Sequence, residues 1–334
     1  MTHTLGSPLG KRALLLGGLC LLILLLSGLS LMAGRVWVPW SAWSQTAHDP
    51  RWAIIFELRL PRTILAIAVG AALGLSGAVM QGYTRNPLAD PGVLGVSSMA
   101  ALGAVLTMYL SVSLTTPWLL FVAAMVGAGV GVAVMLVLAG GTGGTITFIL
   151  AGVILNTVAS AGVALALSLA PSPWAAQEII NWLLGSLADR SADDAWRALP
   201  FIAVGSGLML LLGRALNALT LGETGAKALG IDLNVTRVML AVGVGLASGA
   251  SVAVTGMIGF VGLIVPHLMR PLVGHRPGAL LLPSAAAGAA LVLAADILVR
   301  LTPSVAEVRL GVAMSAIGGP FFLALLISMR RRLA

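Results

Sequence analysis

Charge is scarce in this 334-residue chain: charged residues make up 9% of it, and only 11 are acidic. Soluble domains carry about 25% charged residues, so a water-soluble globular fold is excluded. The single cysteine, Cys20, lies in an apolar run and excludes an intrachain disulfide. Lys11 and Lys227 are the only lysines, and neither is followed by serine or threonine. No Gly-x-x-x-x-Gly-Lys-[Ser/Thr] loop is therefore present. Without that phosphate cradle the chain does not hydrolyse ATP by itself. His267 and His275 are eight apart and match no compact metal-ligand spacing. His3 and His48 stand alone in loops, so no metal site is expected. No cluster of catalytic residues gathers at one depth either, which leaves no case for an enzyme. The net charge of +8 is spread over short loops, without a basic stripe or interleaved aromatics. Nucleic acid is not a partner of such a surface.

What the chain does have is apolar length. It is 59% hydrophobic, with a mean hydropathy of +1.04. A bilayer span needs about 20 mostly apolar residues, and such runs recur from end to end. They are continuous rather than alternating, which excludes a β-barrel. The expectation is an all-α polytopic membrane protein in a single domain, 1–334, with ten transmembrane helices. The spans read as 12–34, 61–82, 92–110, 115–138, 145–168, 196–213, 237–256, 258–274, 278–300 and 308–329, the eighth being short. Lys11 and Arg12 precede an apolar run too long for a signal-peptide core, so it reads as a retained first span.

Loop arginines and lysines set the orientation. With the N-terminus inside, eleven fall in the cytoplasm and eight outside. Lys11-Arg12 and the terminal Arg330–Arg332 decide the matter, which puts both termini inside. The outer arginines oppose this bias and need a reason. Arg59, Arg62, Arg300 and Arg309 lie at or near span ends. They either anchor the helices at the interface or form a rim that attracts an acidic partner or substrate. Asp296, one turn from Arg300, suggests an ion pair near the outer surface. The poverty of other buried charge argues against an ion-coupled transporter.

Several local signals are legible. Trp37, Trp40, Trp43 and Trp52 crowd the loop 35–58 as an interfacial aromatic belt. Ser172 and Pro173 are suited to start a short amphipathic helix along the outer surface. Asp90 can cap the third span with Pro91 at its first position. Gly70, Gly74 and Gly77 form a small-residue face, as do Gly127 with Gly131, and Gly243, Gly245 and Gly249; such faces permit close helix packing. Gly152, Asn156 and Ser160 form a polar, small stripe inside the fifth span. It serves either an interhelical hydrogen bond or the lining of a watery path. Most distinctive is the island 221–232, Leu221-Gly-Glu-Thr-Gly-Ala-Lys-Ala-Leu-Gly-Ile-Asp232, a charged, helix-compatible stretch between apolar runs. Glu223 and Lys227 have the spacing and order of a helical ion pair.

These segments together resemble one family. Arg59-Leu-Pro-Arg62, Asn86-Pro-Leu-Ala-Asp-Pro-Gly-Val-Leu-Gly95, Leu150-Ala-Gly152 with Asn156, the stretch 221–230, Gly256-Met-Ile-Gly-Phe-Val-Gly-Leu-Ile-Val-Pro-His-Leu-Met-Arg270, Ala295-Asp296 and Gly318-Gly-Pro-Phe-Phe322 occur in the family's order. The chain resembles the permease subunits of type II ABC importers for iron-siderophores, heme and cobalamin. The resemblance implies a ten-span permease in the bacterial inner membrane, working as a homodimer with a second copy of itself. It implies two ATPase subunits on the cytoplasmic face, which bind the ATP and Mg, and a periplasmic substrate-binding protein outside. No cofactor is expected on the chain itself; heme is expected as transported cargo, with siderophore or cobalamin as the alternative. It assigns binding-protein docking to Arg59, Arg62 and Arg300, and Arg309 at the same mouth is expected to join them. ATPase coupling falls to Leu221, Gly222, Glu223, Thr224, Gly225, Lys227, Leu229 and Gly230, and the translocation path to Gly152, Asn156 and Ser160. One departure stands out: Glu307-Val-Arg309-Leu-Gly311 lacks the family's proline and carries an extra arginine.

Overall fold

The computed structural model describes residues 8–44, 49–112, 116–140, 144–303 and 307–333. Those residues form a bundle of ten apolar helices, with no strand among them. The helices are α1 (Pro8–Met32), α2 (Leu60–Thr84), α3 (Val96–Tyr109), α4 (Trp118–Ala139) and α5 (Thr145–Ser168), followed by α6 (Ala192–Leu211), α7 (Leu233–Thr255), α8 (Val261–Val273), α9 (Pro277–Leu301) and α10 (Leu310–Leu333). Arg330–Arg332 fall in the last turns of α10.

Eight of the ten are long and apolar enough to cross a membrane. The other two are shorter, so helix length alone does not establish ten full spans: α3 has 14 residues and α8 has 13. At 1.5 Å per residue each covers about 20 Å, short of a hydrocarbon core about 30 Å thick. The reason is local. Asp90 does act as a cap, its Oδ1 accepting from the Gly92 amide at 2.8 Å, but what it caps is a 3-10 turn, Pro91–Leu94. Gly95 then turns the chain with φ +71° before α3 begins. Phe260, at φ +67°, starts α8 after a non-helical stretch. In the opposite direction, α2 is longer than expected. It continues back through a π-helical segment, Ile54–Arg59, to Pro50, so part of the expected outer loop is helix.

The helices sort by burial. α2 and α7 are the core pair, each with 78% of its apolar window buried, whereas α1 has 6% and α10 22%. The most extensive pairing joins α2 to α9. The small-residue face expected on α2 makes it possible. A Cβ on Gly70 would overlap the backbone of Gly288 in α9, one on Gly74 the carbonyl of Ser284, and one on Gly77 the carbonyl of Gly262 in α8. The other glycine faces behave alike: Gly127 and Gly131 meet Met99 of α3, and Gly243 meets Met209 and Gly205 of α6. In lipid such packing replaces the hydrophobic effect as the force that joins helices. Outside the bundle, the expected surface helix runs Pro173–Leu183, with Ser172 Oγ accepting from the Ala175 amide at 3.2 Å.

Gly288→Val puts two branched methyls against the α2 backbone, where nothing can move aside. It is expected to lower the stability of the purified protein by about 2 kcal/mol or more. Thermal unfolding in detergent reads this directly, and an unchanged midpoint would count against backbone-to-backbone contact at this crossing.

Candidate functional site

The two ends of the bundle carry different chemistry. At the end where α2 begins, three of the four expected docking arginines are buried: Arg59, Arg62 and Arg300 are 8%, 9% and 7% exposed. They are not an exposed rim. A buried guanidinium needs partners to be tolerated: Arg62 and Arg300 have a carboxylate, and Arg59 has backbone carbonyls. Asp296 of α9, fully buried, lies between two of them. Its Oδ1 accepts from Arg62 Nε at 3.0 Å and Nη2 at 2.8 Å, and its Oδ2 faces Arg300 Nε at 3.2 Å. Arg62 also pairs with Glu307. The expected Asp296–Arg300 pair is therefore one side of a larger network, and Arg62 is the partner that spacing along one helix could not show.

The remaining donors of the network bind the end of α1. Arg300 Nη1 donates to the carbonyls of Ser30 (2.9 Å) and Ala33 (3.2 Å), and its Nη2 to Ser30 Oγ at 2.6 Å. Arg59 donates to the carbonyls of Leu31 (3.0 Å), Met32 (2.7 Å) and Val36 (2.6 Å). Carbonyls at a helix C-terminus lack intrahelical donors and carry partial negative charge, so two cations close α1. Gly34 leaves room for this, since a Cβ there would stand 2.7 Å from Arg59 Nη2 and push the guanidinium aside.

Arg309 is placed differently. It is half-exposed and lines a polar cavity of about 600 Å³ with Glu178, Asn181, Asp189 and Arg190. Trp174, 85% exposed, stands at the same cavity. Burial pushes the Arg190 guanidinium below its ordinary value; Asp194 and Asp189 oppose that shift, and Arg309 adds to it. Sequence reasoning gave Arg190 no site, because Glu178 and Arg309, which share its cavity, come from other elements.

At the other end of the bundle, the island forms the short helix Gly222–Ala228. Two glycines bracket it, Gly222 at φ +86° and Gly230 at φ +77°, backbone that other residues adopt only with strain. Leu221, Thr224, Lys227, Leu229 and Gly230 are exposed; Gly222, Glu223 and Gly225 are half-buried, and Ala226 is buried. The expected Glu223–Lys227 ion pair is replaced by another contact. Glu223 Oε1 accepts from the Thr145 amide at 3.0 Å and from Thr145 Oγ1 at 2.7 Å. Gly144, the N-cap of α5, has no side chain to do this, so a carboxylate from a different element caps α5. Those bonds hold the Glu223 carboxyl below its ordinary value, with Arg237 and Lys227 acting at longer range.

The polar stripe of α5 divides. Asn156 Oδ1 accepts from Ser98 Oγ of α3 at 2.5 Å. Gly152 sits against Gly95, whose Cβ, if it had one, would lie 2.6 Å from the Gly152 carbonyl. Both therefore serve the α3–α5 contact, and only Ser160 is exposed. Among the described residues no group of three or more metal-ligating side chains occurs, and His267 packs edge-on to Phe321 at 5.9 Å.

A bundle of long apolar helices with a short bracketed helix at one end is the architecture of a multi-pass membrane protein. The chain belongs to the FecCD transport family, whose model matches residues 20–328. It is 37% identical to the vitamin B12 import system permease protein BtuC of Klebsiella pneumoniae over 316 residues, 94% of each chain. Similar relatives include BtuC of Citrobacter koseri (37% over 317 residues, 95% and 94%) and YvrB of Bacillus subtilis, an ABC transporter permease protein (39% over 292 residues, 85% and 82%). A solved ABC transporter assigned to the metal-chelate type, in an inward-facing conformation, superposes with a TM-score of 0.84 at 34% identity, covering 94% of this chain and 98% of that one. The chain is accordingly a transport subunit, not an enzyme; in such transporters a separate ATPase hydrolyses ATP.

Two outcomes follow. Asp296→Ala strands two buried guanidinium groups and is expected to cost about 3–5 kcal/mol, seen as loss of monodisperse protein in detergent or a lowered unfolding midpoint. Glu223→Ala removes the α5 cap, worth about 1 kcal/mol. Because the folded carboxyl titrates below its unfolded value, the cap is present at neutral pH and is lost as pH falls through the folded value. The protection of the Thr145 amide, its exchange rate relative to the intrinsic rate at the same pH, should therefore fall in acid in the wild type and already be low at neutral pH in the variant.

Proposed function

We propose that this chain is the membrane-spanning half of an ATP-driven importer, and that its cargo is a corrinoid of the cobalamin class. The observation that carries the cargo reading is the likeness to BtuC permeases along nearly the whole chain. It favours the cobalamin alternative above the heme expected from the resemblance, and nothing in the chain's own residues singles out heme. The metal-chelate transporter that superposes on it fits the same broad class of cargo.

In this reading two copies of the chain sit in the bacterial inner membrane, with both termini and the 222–228 helix in the cytoplasm. Two ATPase subunits dock on the exposed face formed by Leu221, Thr224, Lys227 and Leu229. Glu223, capping α5, carries their motion to the helix that holds Asn156 against α3. Alternating access then follows from movement of a packed element rather than from any chemical step. A binding protein docks at the opposite end. There Arg309 and its cavity present accessible charge, while Arg59, Arg62 and Arg300 keep that end in shape.

The test is uptake into proteoliposomes holding the chain, its ATPase and its binding protein. Cyanocobalamin should accumulate with ATP, and hemin or a ferric siderophore should not. Preferential hemin uptake would reverse the cargo assignment, and uptake without the ATPase would end the importer reading. In the same system Glu223→Ala should lower uptake per ATP hydrolysed several-fold while the ATPase still co-purifies.

A further inference from the structure

The ion pairs of the described residues share one end of the bundle. Arg51–Asp49, Arg62–Asp296, Arg62–Glu307, Arg197 with Asp193 and Asp194, and Arg300–Asp296 all lie at the end away from the 222–228 helix. At the coupling-helix end the carboxylates are used otherwise: Glu223 caps α5 and Asp232 caps α7. The cations there are left without carboxylate partners in the described residues.

Three of these basic side chains share a cavity. Arg85, Arg270 and His275 line a space of about 270 Å³, together with Gln81, Thr220 and the apolar Leu280, and no acidic residue lines it. Arg270 is half-buried, and one of its nitrogens is fixed by Gln81 Oε1 at 2.8 Å. Gln81 is itself held through its Nε2 on the Gly262 carbonyl at 3.2 Å. Arg85 is held in left-handed backbone at φ 52°, which places its Nη1 beside Gly222 at the start of the coupling helix. A half-buried cation with oriented, spare donors and no counter-charge is incomplete. The fitting ligand is an anion with several acceptor oxygens.

We propose that this cavity binds the phosphate of an anionic phospholipid headgroup. Basic pockets between helix ends on the cytoplasmic side suit such headgroups. Leu280 and the neighbouring Ala78 and Pro277 give the cavity an apolar wall for the glycerol and first methylenes. The bound phosphate would bridge α8 to the turn that follows α2, and so brace the surface on which the 222–228 helix rests. The assignment of this end to the cytoplasmic leaflet rests on the orientation proposed above.

The test reads lipid retention, with neither cargo nor ATP present. The full chain with its ATPase is purified, offered phosphatidylglycerol or phosphatidylcholine, and examined by native mass spectrometry. Phosphatidylglycerol should be retained in preference to phosphatidylcholine, and Arg85→Gln with Arg270→Gln should weaken that retention by about tenfold or more. Arg85→Gln alone, at an exposed side chain, should give a partial loss, which keeps the test informative if the double variant folds poorly. Arg214→Gln, outside the cavity, should change nothing. Equal retention in the wild type and the double variant would overturn the proposal. So would displacement by millimolar inorganic phosphate, which would make the ligand free phosphate, or loss of the ATPase from the variants in pure phosphatidylcholine, which would make it a carboxylate of that subunit. Labelling of a cysteine placed at Lys227 from the cell exterior would sink the orientation, and with it the importer's proposed geometry, without altering the retention result.

Discussion

One buried carboxylate holds together the end of the bundle away from the 222–228 helix. Asp296 has no exposed atom to spare, and it sits between Arg62 and Arg300. Through Arg62 it joins α9 to α2, and through Arg300 it reaches the terminal carbonyls of α1. Its negative charge allows two guanidinium groups to stay desolvated; the remaining donors can then be spent on backbone carbonyls. α1 depends on this most. It is the least buried of the long helices; one face packs on α9, and the polar tie adds a fixed point at its end.

The rest of the bundle is joined by a different principle. Where α2 crosses α9 and α8, backbone meets backbone at Gly70, Gly74 and Gly77. Lipid gives apolar side chains little reason to prefer one another, so proximity of backbones does the work. The result is a dense centre, α2 with α7 and α9, surrounded by helices that keep apolar faces outward. α5 is one of those outer helices, with 28% of its apolar window buried. Its inner face packs on α3 and α4, and three contacts pin it further: the Glu223 cap, the Gly95–Gly152 approach and the Ser98–Asn156 bond.

The two ends of the molecule also differ in how they treat charge. One end pairs Arg62 and Arg300 with its own carboxylates, whereas at the other Arg237 and Arg270 donate to neutral oxygens. An end that satisfies itself is suited to hold shape, and an end that does not is suited to receive something else. The short helix between two positive-φ glycines stands at that second end, with leucines exposed at both of its margins.

Membrane insertion, the approximate spans and the lack of any ATP-binding loop follow from composition and motif, because burying about 20 apolar residues per span in lipid is a local, additive property. Capping residues such as Ser172 and Asp90 were legible for the same reason: the bond is made within three residues. Partners across the bundle were not. Arg62 lies 234 residues from Asp296 and Glu223 lies 78 from Thr145, so the local spacing that suggested Asp296–Arg300 and Glu223–Lys227 showed only half of the first and none of the bond in the second. The partners of Arg59 in α1 and of Asn156 in α3 likewise appear only in the tertiary structure. Long-range polar contacts depend on which helix ends meet and on how close glycines let the backbones come, and that geometry is written in no single segment.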